Sequence, residues 1–304
     1  MISIITKLIK LSKRFIFYFI KFLRHRRYTF TIPVARLLGR FIQLIPKTER
    51  TEIIYPYDYK NRRIESVSNL RKTGIVISSF TNQGSINSFI SLQKELEIYE
   101  NLAEEQKPSP FTDVSDEEQN KNFLRIITKH FSTKYLLSIA YDPEIIQTVY
   151  SYFGLFPSVY KINVWHNERV SDNPSSTQFF HRDPEDKYLL KLFIPLRVIS
   201  AENGPFQFIS TSHKRFLEEE FTQVMAHRSA TKERVKLEKK IEKNYKDKII
   251  SFTGEPYNYC LADTNGLHRG LLPIKGKRFL INVVYCSSFP HINKPLPKIY
   301  NPFI

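Results

Sequence analysis

The chain has 304 residues, 41% of them hydrophobic and 14% aromatic, which is enough for one large domain with a substantial core and an appendage. Its two cysteines, Cys260 and Cys286, exclude a disulfide framework, and we expect two buried, reduced thiols and a cytoplasmic location. The net charge of +16 would favour nucleic acid as a partner, but the first 50 residues hold twelve Lys or Arg and one acid, so the basic charge belongs mostly to the front of the chain.

Residues 1–47 form a basic, amphipathic segment. Polar residues follow one stripe of a predicted helix, at Ser3, Lys7, Lys10, Arg14 and Lys21. Lysines interrupt the apolar positions too often for a spanning helix or a signal peptide. A second helix is predicted between Pro33 and Pro46. We interpret the segment as an anchor that lies in the interface of an anionic membrane, with helices that pack on the domain or on a second copy as the alternative.

Residues 48–65 are interpreted as a polar linker to the main domain, 66–290. Hydrophobic spacing then predicts a helix at 64–70, a strand at 74–79, a helix at 85–102, a surface loop at 103–119, helices at 117–130 and 143–153, and a strand at 159–165. Further strands are predicted at 188–196, 206–209, 249–252, 257–262 and 279–285, before a tail at 291–304.

The stretch FFHRDPED, from Phe179 to Asp186, is the first candidate for chemistry. His181 and Asp183 stand two residues apart in an extended segment, so both side chains leave the same face. The pair alone is weak evidence for a metal site. Downstream, His268 is a third candidate ligand, and ten residues later Arg278 opens an apolar strand.

Two imidazoles and one carboxylate on one side of a metal, with the other positions open, suit Fe(II) in oxygenases. A 2-oxo acid can chelate through two open positions, and O2 can take the last. The fork of Arg278 can then hold the far carboxylate of 2-oxoglutarate in a bidentate pair. The pattern therefore predicts a site for Fe(II), 2-oxoglutarate and O2.

The same residues carry a resemblance to a known family. From about Ser66 to Ser288 the chain resembles the phytanoyl-CoA dioxygenases, which are Fe(II)- and 2-oxoglutarate-dependent oxygenases. The shared motifs are GIVI at 74–77, His-x-Asp at 181–183, ENGP at 202–205, SHK at 212–214 and DTNGLHRG at 263–270. The resemblance implies a mainly β fold with flanking helices (α+β), a double-stranded β-helix or cupin-like jelly-roll barrel.

By this resemblance, His181, Asp183 and His268 are the iron ligands and Arg278 is the cosubstrate anchor. Many relatives place a hydroxyl residue shortly after the distal histidine to help bind the oxo acid. Arg269 and Gly270 stand there in this chain, so the anchor is less complete than the metal site.

Two further polar residues are candidates for contact with the oxo acid. Lys191 interrupts an apolar strand, and a buried lysine needs an anion, so we predict that it points into the barrel near the cosubstrate carboxylates. Asn163 could face the oxo acid or be a satisfied core amide.

Four nearby residues are interpreted as structural. Trp165 is expected in the core, His166 is not expected to be a ligand because it lies in a run toward a loop, and His213 is expected to form structural hydrogen bonds. Asp263 is expected to organise the turn before the distal histidine or to accept a hydrogen bond from its imidazole.

Residues 215–248 form a charged, helix-forming insertion within the domain. Its charges are most simply a solvated face, although the insertion could also be a lid over the site. His227 and Arg228 are candidates for contact with an anionic substrate.

These features together favour a dioxygenase that hydroxylates a lipid, a lipid-linked sugar or an acyl substrate at a membrane surface. Asp183 argues against the related halogenases, in which a non-coordinating residue leaves room for halide. The alternatives are a catalytically silent jelly roll that binds membranes, and a nucleic-acid oxygenase, which only the charge at the front of the chain favours.

Overall fold

The computed structural model describes residues 65–105, 124–154, 157–168, 176–183, 185–186, 188–214 and 232–287. Several predicted segments therefore lie outside the described residues: the amphipathic segment 1–47, the linker to residue 64, most of the 103–119 loop, residues 215–231 with His227 and Arg228, and the tail 291–304. Among the described helices, none is long and apolar enough to cross a membrane.

The described strands form two antiparallel sheets. They are β1 (Ile75–Ser79), β2 (Leu124–Ile126), β3 (Pro157–Glu168), β4 (Leu189–Pro195), β5 (Phe206–Ile209), β6 (Ile249–Phe252), β7 (Asn258–Ala262), β8 (His268–Gly270) and β9 (Lys277–Ser287). The large sheet has the order β1-β7-β4-β9-β3-β2, and the small sheet has the order β6-β5-β8. The predicted mainly β architecture is confirmed, and the arrangement is consistent with a jelly roll.

Helices cover the outer face of the large sheet. They are α1 (Glu65–Thr73), α2 (Gln83–Glu105), α3 (Thr133–Ala140) and α4 (Pro143–Phe153), and α5 (Lys232–Tyr245) belongs to the insertion. The hydroxyl of Tyr285 on β9 donates to the carbonyl of Ala140 at the end of α3, at 2.6 Å. The apolar residues of α2 and α4 recur at helical spacing because one side of each helix is buried, with Leu92, Leu96 and Val149 fully buried.

The core lies between the two sheets. Phe193 of β4 stacks on Phe206 of β5 with ring centroids 4.3 Å apart. The cluster around them contains Ile75, Ile199, Phe208, Phe252, Cys260, Ala262 and Leu280. Burying each large side chain stabilises the fold by about 1.5–3 kcal/mol. The cysteine prediction is confirmed, because Cys260 and Cys286 are both free and buried.

Strand alternation determines which polar side chains share the inner face of the large sheet. Phe193 and Leu280 face the small sheet. Residues two positions away on the same strands have the same orientation, which puts Lys191, Arg278 and Asn282 on the inner face as well. The inner wall of the barrel therefore carries the polar side chains of Lys191, Asn282 and Arg278 beside its apolar cluster.

The prediction of a helix at 117–130 is wrong for residues 124–126, whereas residues 128–130 form a short 3-10 helix. Leu124–Ile126 forms β2 instead, and it pairs with β3 so that Leu124 lies opposite Asn167 and Ile126 opposite Trp165. The helical spacing of apolar residues is overridden because an edge strand of the large sheet gains backbone hydrogen bonds there. Helix α3 was not predicted from the sequence.

Candidate metal centre

His181, Asp183 and His268 come together at the β8 edge of the small sheet. One ligand atom from each lies within 4.8 Å of the others. Asp183 Oδ1 is 3.6 Å from His181 Nε2, and Asp183 Oδ2 is 3.1 Å from His268 Nε2. Ligands about 2.1 Å from one ion and at right angles to each other stand about 3 Å apart, so the spacing suits a single metal ion.

The backbone fixes this arrangement. The His181 N–H donates to the His268 carbonyl at 2.9 Å, and the His268 N–H donates to the His181 carbonyl at 3.0 Å. The two histidines are thus a directly opposed antiparallel pair, whose side chains leave the same face. The Asp183 N–H donates to the Thr264 carbonyl at 3.0 Å, which ties Asp183 to the turn that precedes His268.

Hydrogen bonds also set the orientation of both imidazole rings. His181 Nδ1 is 2.8 Å from the carbonyl of Phe179, and His268 Nδ1 is 3.0 Å from the carbonyl of Gly266. A carbonyl oxygen only accepts, so Nδ1 is the protonated nitrogen and Nε2 presents its lone pair toward Asp183. Burial, aided by the nearby His268, lowers the pKa of His181 and favours the neutral ring that a metal needs.

Lys191 lies beside the carboxylate of the triad. Its Nζ is 2.7 Å from Asp183 Oδ2 and 3.0 Å from Glu185 Oε1. Burial alone would raise the pKa of Asp183, but Lys191 and His268 hold it well below its usual range. Burial likewise lowers the pKa of Lys191, but the two carboxylates more than offset this and raise it. Lys191 points into the barrel, and its described partners are the protein's own carboxylates.

The turn before His268 depends on Asp263. Its carboxylate accepts from the backbone N–H and the side-chain amide of Asn265 at 3.1 and 3.0 Å, and from the hydroxyl of Tyr152 at 2.7 Å. The prediction that Asp263 organises the turn is confirmed. The alternative, that Asp263 orients the imidazole of His268, is wrong because the carbonyl of Gly266 occupies that nitrogen.

Arg278 is a buried guanidinium on the same inner face. Its Nε and Nη2 donate to Asn167 Oδ1 at 3.2 and 3.1 Å, across the β3–β9 pairing. Burial lowers its pKa to about 10, and no described carboxylate offsets this effect. Because a buried cation without a counterion is costly, the arrangement suits an incoming anion.

Gly270 leaves the space that this guanidinium occupies. A Cβ at Gly270 would lie 3.3 Å from Arg278 Nη2, which is a tight contact. Gly270 therefore abuts the candidate anchor directly.

Two asparagines lie opposite each other between Lys191 and Arg278. Asn163 of β3 pairs with Asn282 of β9, and Phe193 of β4 pairs with Asn282 from the other side. Among the described residues, Asn282 Nδ2 has no hydrogen-bond partner although the side chain is 1% exposed. Asn282 and Asn167 were not singled out from the sequence. The signal that could have found Asn282 is its spacing of four residues from Arg278 on one strand.

The other predicted structural histidines lie outside the triad. His166 is buried with Nδ1 3.1 Å from the hydroxyl of Tyr99 and Nε2 2.8 Å from Glu168 Oε1. His213 Nε2 lies 3.3 Å from the carbonyl of Arg71. Among the described residues, the only group of three side chains spaced to hold a metal is His181, Asp183 and His268.

No family model matches the sequence, and a search of curated proteins finds no match either. Solved structures do match. EctD from S. alaskensis with 2-oxoglutarate and 5-hydroxyectoine is 18% identical over 82% of this chain and 88% of that chain, with a TM-score of 0.52. The apo form of EctD is 17% identical over 74% of this chain and 77% of that chain, with a TM-score of 0.51.

A third structure is the non-heme alpha ketoglutarate dependent carbocyclase SnoK from nogalamycin biosynthesis. It is 15% identical over 77% of this chain and 87% of that chain, with a TM-score of 0.51. At these identities the similarity is one of fold. The chain therefore shares its fold with 2-oxoglutarate-dependent enzymes and carries a His-Asp-His cluster of metal-binding geometry.

Proposed function

We propose that this protein is an Fe(II)- and 2-oxoglutarate-dependent oxygenase of the phytanoyl-CoA dioxygenase type. One arrangement carries the proposal: three ligand atoms of the facial-triad set converge within 4.8 Å, and the buried guanidinium of Arg278, which has no described counterion, lies against Gly270 of the strand that carries His268. The fold similarity to 2-oxoglutarate-dependent enzymes supports it.

The chemistry of the residues fits the metal and the cosubstrate. Two imidazoles that present Nε2 and one carboxylate are the donor set that non-haem Fe(II) oxygenases use. Arg278 supplies a fork of donors for a carboxylate, and the free amide hydrogens of Asn282 suit an oxygen acceptor. Lys191 adds a second cation on the inner face of the same sheet.

Bound Fe(II) would supply the activation of O2. In the overall reaction, 2-oxoglutarate, O2 and a substrate C–H bond would give succinate, CO2 and a hydroxylated product. One oxygen atom enters succinate and the other enters the product, so the two electrons from decarboxylation and the two from the C–H bond reduce O2 completely. The protein's part is to orient the oxo acid through Arg278 and to keep Asp183 ionised through Lys191.

For the substrate we propose a lipid, a lipid-linked sugar or an acyl compound at an anionic membrane surface. The support is the amphipathic pattern of residues 1–47, with lysines on one stripe and apolar residues on the rest. The proposed location is cytoplasmic and peripheral to the membrane.

The oxygenase proposal is tested by adding Fe(II) and 2-oxoglutarate to the purified protein without oxygen. We expect the visible metal-to-ligand charge-transfer band of a chelated oxo acid. The matched control is the double variant His181→Ala with Asp183→Ala, in which the band should be lost. A band of unchanged intensity in that variant, or no band in the iron-loaded wild type, would contradict the assignment.

The substrate proposal needs a separate experiment. Lipid extracts incubated with the active protein should gain one oxygen by mass spectrometry and release succinate, which a silent scaffold would not. A variant without residues 1–47 should no longer sediment with anionic vesicles but should still bind iron. Sedimentation of the truncated form would show that the anchor lies elsewhere.

A further inference from the structure

Helix α5 of the insertion contacts both histidine-bearing segments from behind. Its Ile241 is fully buried against Phe180, Ile209 and Leu267. Phe180 directly precedes His181, and Leu267 directly precedes His268. The described half of the insertion thus packs its apolar side on the back of the metal centre, while most of its described charged side chains are exposed as predicted.

One carboxylate on α5 reaches both segments. The backbone N–H of Phe180 donates to both oxygens of Glu238, at 3.2 and 3.0 Å. Arg269, which directly follows His268, donates from Nη1 to Glu238 Oε1 at 2.5 Å. Glu238 is 8% exposed, so these hydrogen bonds form away from water, where charge-assisted pairs are strongest.

Arg269 is itself held rigidly in this cluster. Its Nε and Nη2 donate to Gln207 Oε1 at 2.9 and 2.7 Å, and its guanidinium lies 4.3 Å from the centre of the Phe180 ring. Phe180 and Arg269 directly flank the paired histidines, so Glu238 joins the two backbone segments that carry the imidazoles.

We propose that Glu238 is a positioning residue of the metal centre, which sets the separation of His181 and His268 by bonding to Phe180 and Arg269. The proposal rests on the proposed function, since it assumes that the triad holds a metal. Residues that orient metal ligands typically contribute roughly 10- to 100-fold in metal affinity when they are removed. The insertion therefore acts on the chemistry through the back of the small sheet.

The test uses Glu238→Gln in the full chain, with Co(II) as the probe and no oxo acid present. The affinity for Co(II) should fall roughly 10- to 100-fold, and the visible spectrum of the bound Co(II) should change because the ligand geometry relaxes. The matched control is Glu242→Gln. Glu242 also contacts Arg269 Nη1, at 2.9 Å, but its side chain is 47% exposed and no hydrogen bond joins it to Phe180 in the described structure. Its substitution should leave affinity within about threefold of wild type.

Two further variants separate positioning from loss of stability. Ile241→Val should lower the urea midpoint of unfolding through the same helix and leave the Co(II) spectrum unchanged. Glu238→Asp keeps the charge for Arg269 but is one methylene too short for Phe180, and it should change the spectrum in the same direction as Glu238→Gln.

Two results would contradict different claims. If folded Glu238 variants keep wild-type affinity and spectrum, or if Ile241→Val reproduces their effect, the positioning role is wrong. If the wild-type protein binds no Co(II), the metal site itself is wrong, and the proposed function fails with it.

Discussion

Arg269 and Arg278 are both 7% exposed, yet their surroundings are opposite. Arg269, on the back of the small sheet, contacts two glutamates, an amide oxygen and an aromatic ring. Arg278, on the inner face of the large sheet, has the amide oxygen of Asn167 as its only hydrogen-bond acceptor among the described residues.

The difference separates a structural cation from a binding one. A buried guanidinium whose charge is already balanced stabilises the fold and has little to offer a ligand. A buried guanidinium whose charge is not balanced makes the free energy of folding less favourable, and a bound anion can offset this effect. Arg269 therefore supports the backbone beside the proposed metal ligands, whereas Arg278 is the proposed anchor for the oxo acid.

The largest expected effect is on stability. Arg269→Met leaves Glu238 buried without its cation and should lower the free energy of unfolding by about 3–5 kcal/mol. Arg278→Met should change it by less than about 1 kcal/mol, because the lost hydrogen bonds to Asn167 are offset by removal of a desolvated charge. Urea unfolding of both metal-free variants measures this difference, and equal losses would remove the distinction.

The next effect is on binding of 2-oxoglutarate. Arg278→Gln should weaken it about 100-fold, equivalent to about 2.7 kcal/mol, while metal affinity stays unchanged. Arg278→Lys should recover only part of the loss, because an ammonium cannot form the bidentate pair. Titration of the charge-transfer band gives the dissociation constants, with exposed Lys277→Gln as the neighbouring control. Equal losses in the Lys277 control would exclude Arg278 as a specific anchor.

A substitution of Lys191 tests whether a metal ion can take over the role of its ammonium group in balancing the charge of Asp183. Lys191→Met removes the cation 2.7 Å from Asp183 and should lower the stability of the metal-free protein by about 2 kcal/mol. Saturating Co(II) should restore most of this loss, because the ion then balances the carboxylate. Thermal unfolding with and without metal measures both values, and a loss that metal does not reduce would place Lys191 outside the centre.

The smallest effect concerns His166, a buried histidine with partners at both ring nitrogens. Burial lowers its pKa to about 4, against the opposing charge of Glu168. The unfolded state then binds more protons between pH 6.5 and about 4, so stability falls as pH falls through this window. From pH 6 to pH 5 the wild type should lose about 1 kcal/mol that His166→Asn does not lose. Parallel curves for the two proteins would show that His166 does not titrate in this range.

Much of the site could be predicted because its signals are local. Spacing by two puts His181 and Asp183 on one face, and apolar runs locate β4, β5 and β9 to within a few residues. Residues 124–126 were misassigned because their state depends on a partner strand that local spacing does not reveal. Asn282 and Glu238 were missed for a related reason. Their roles depend on residues that are distant in sequence. From the sequence alone, Asn282 resembles an ordinary core amide and Glu238 an ordinary charged residue on a helix.

The most direct test is a crystal structure of the protein with Mn(II) and 2-oxoglutarate, grown without oxygen. The account predicts one ion about 2.0–2.2 Å from Nε2 of His181, Nε2 of His268 and an oxygen of Asp183. It also predicts one carboxylate of the oxo acid paired with Arg278. An ion bound elsewhere, or an oxo acid that leaves the Arg278 guanidinium with Asn167 as its only partner, would contradict it.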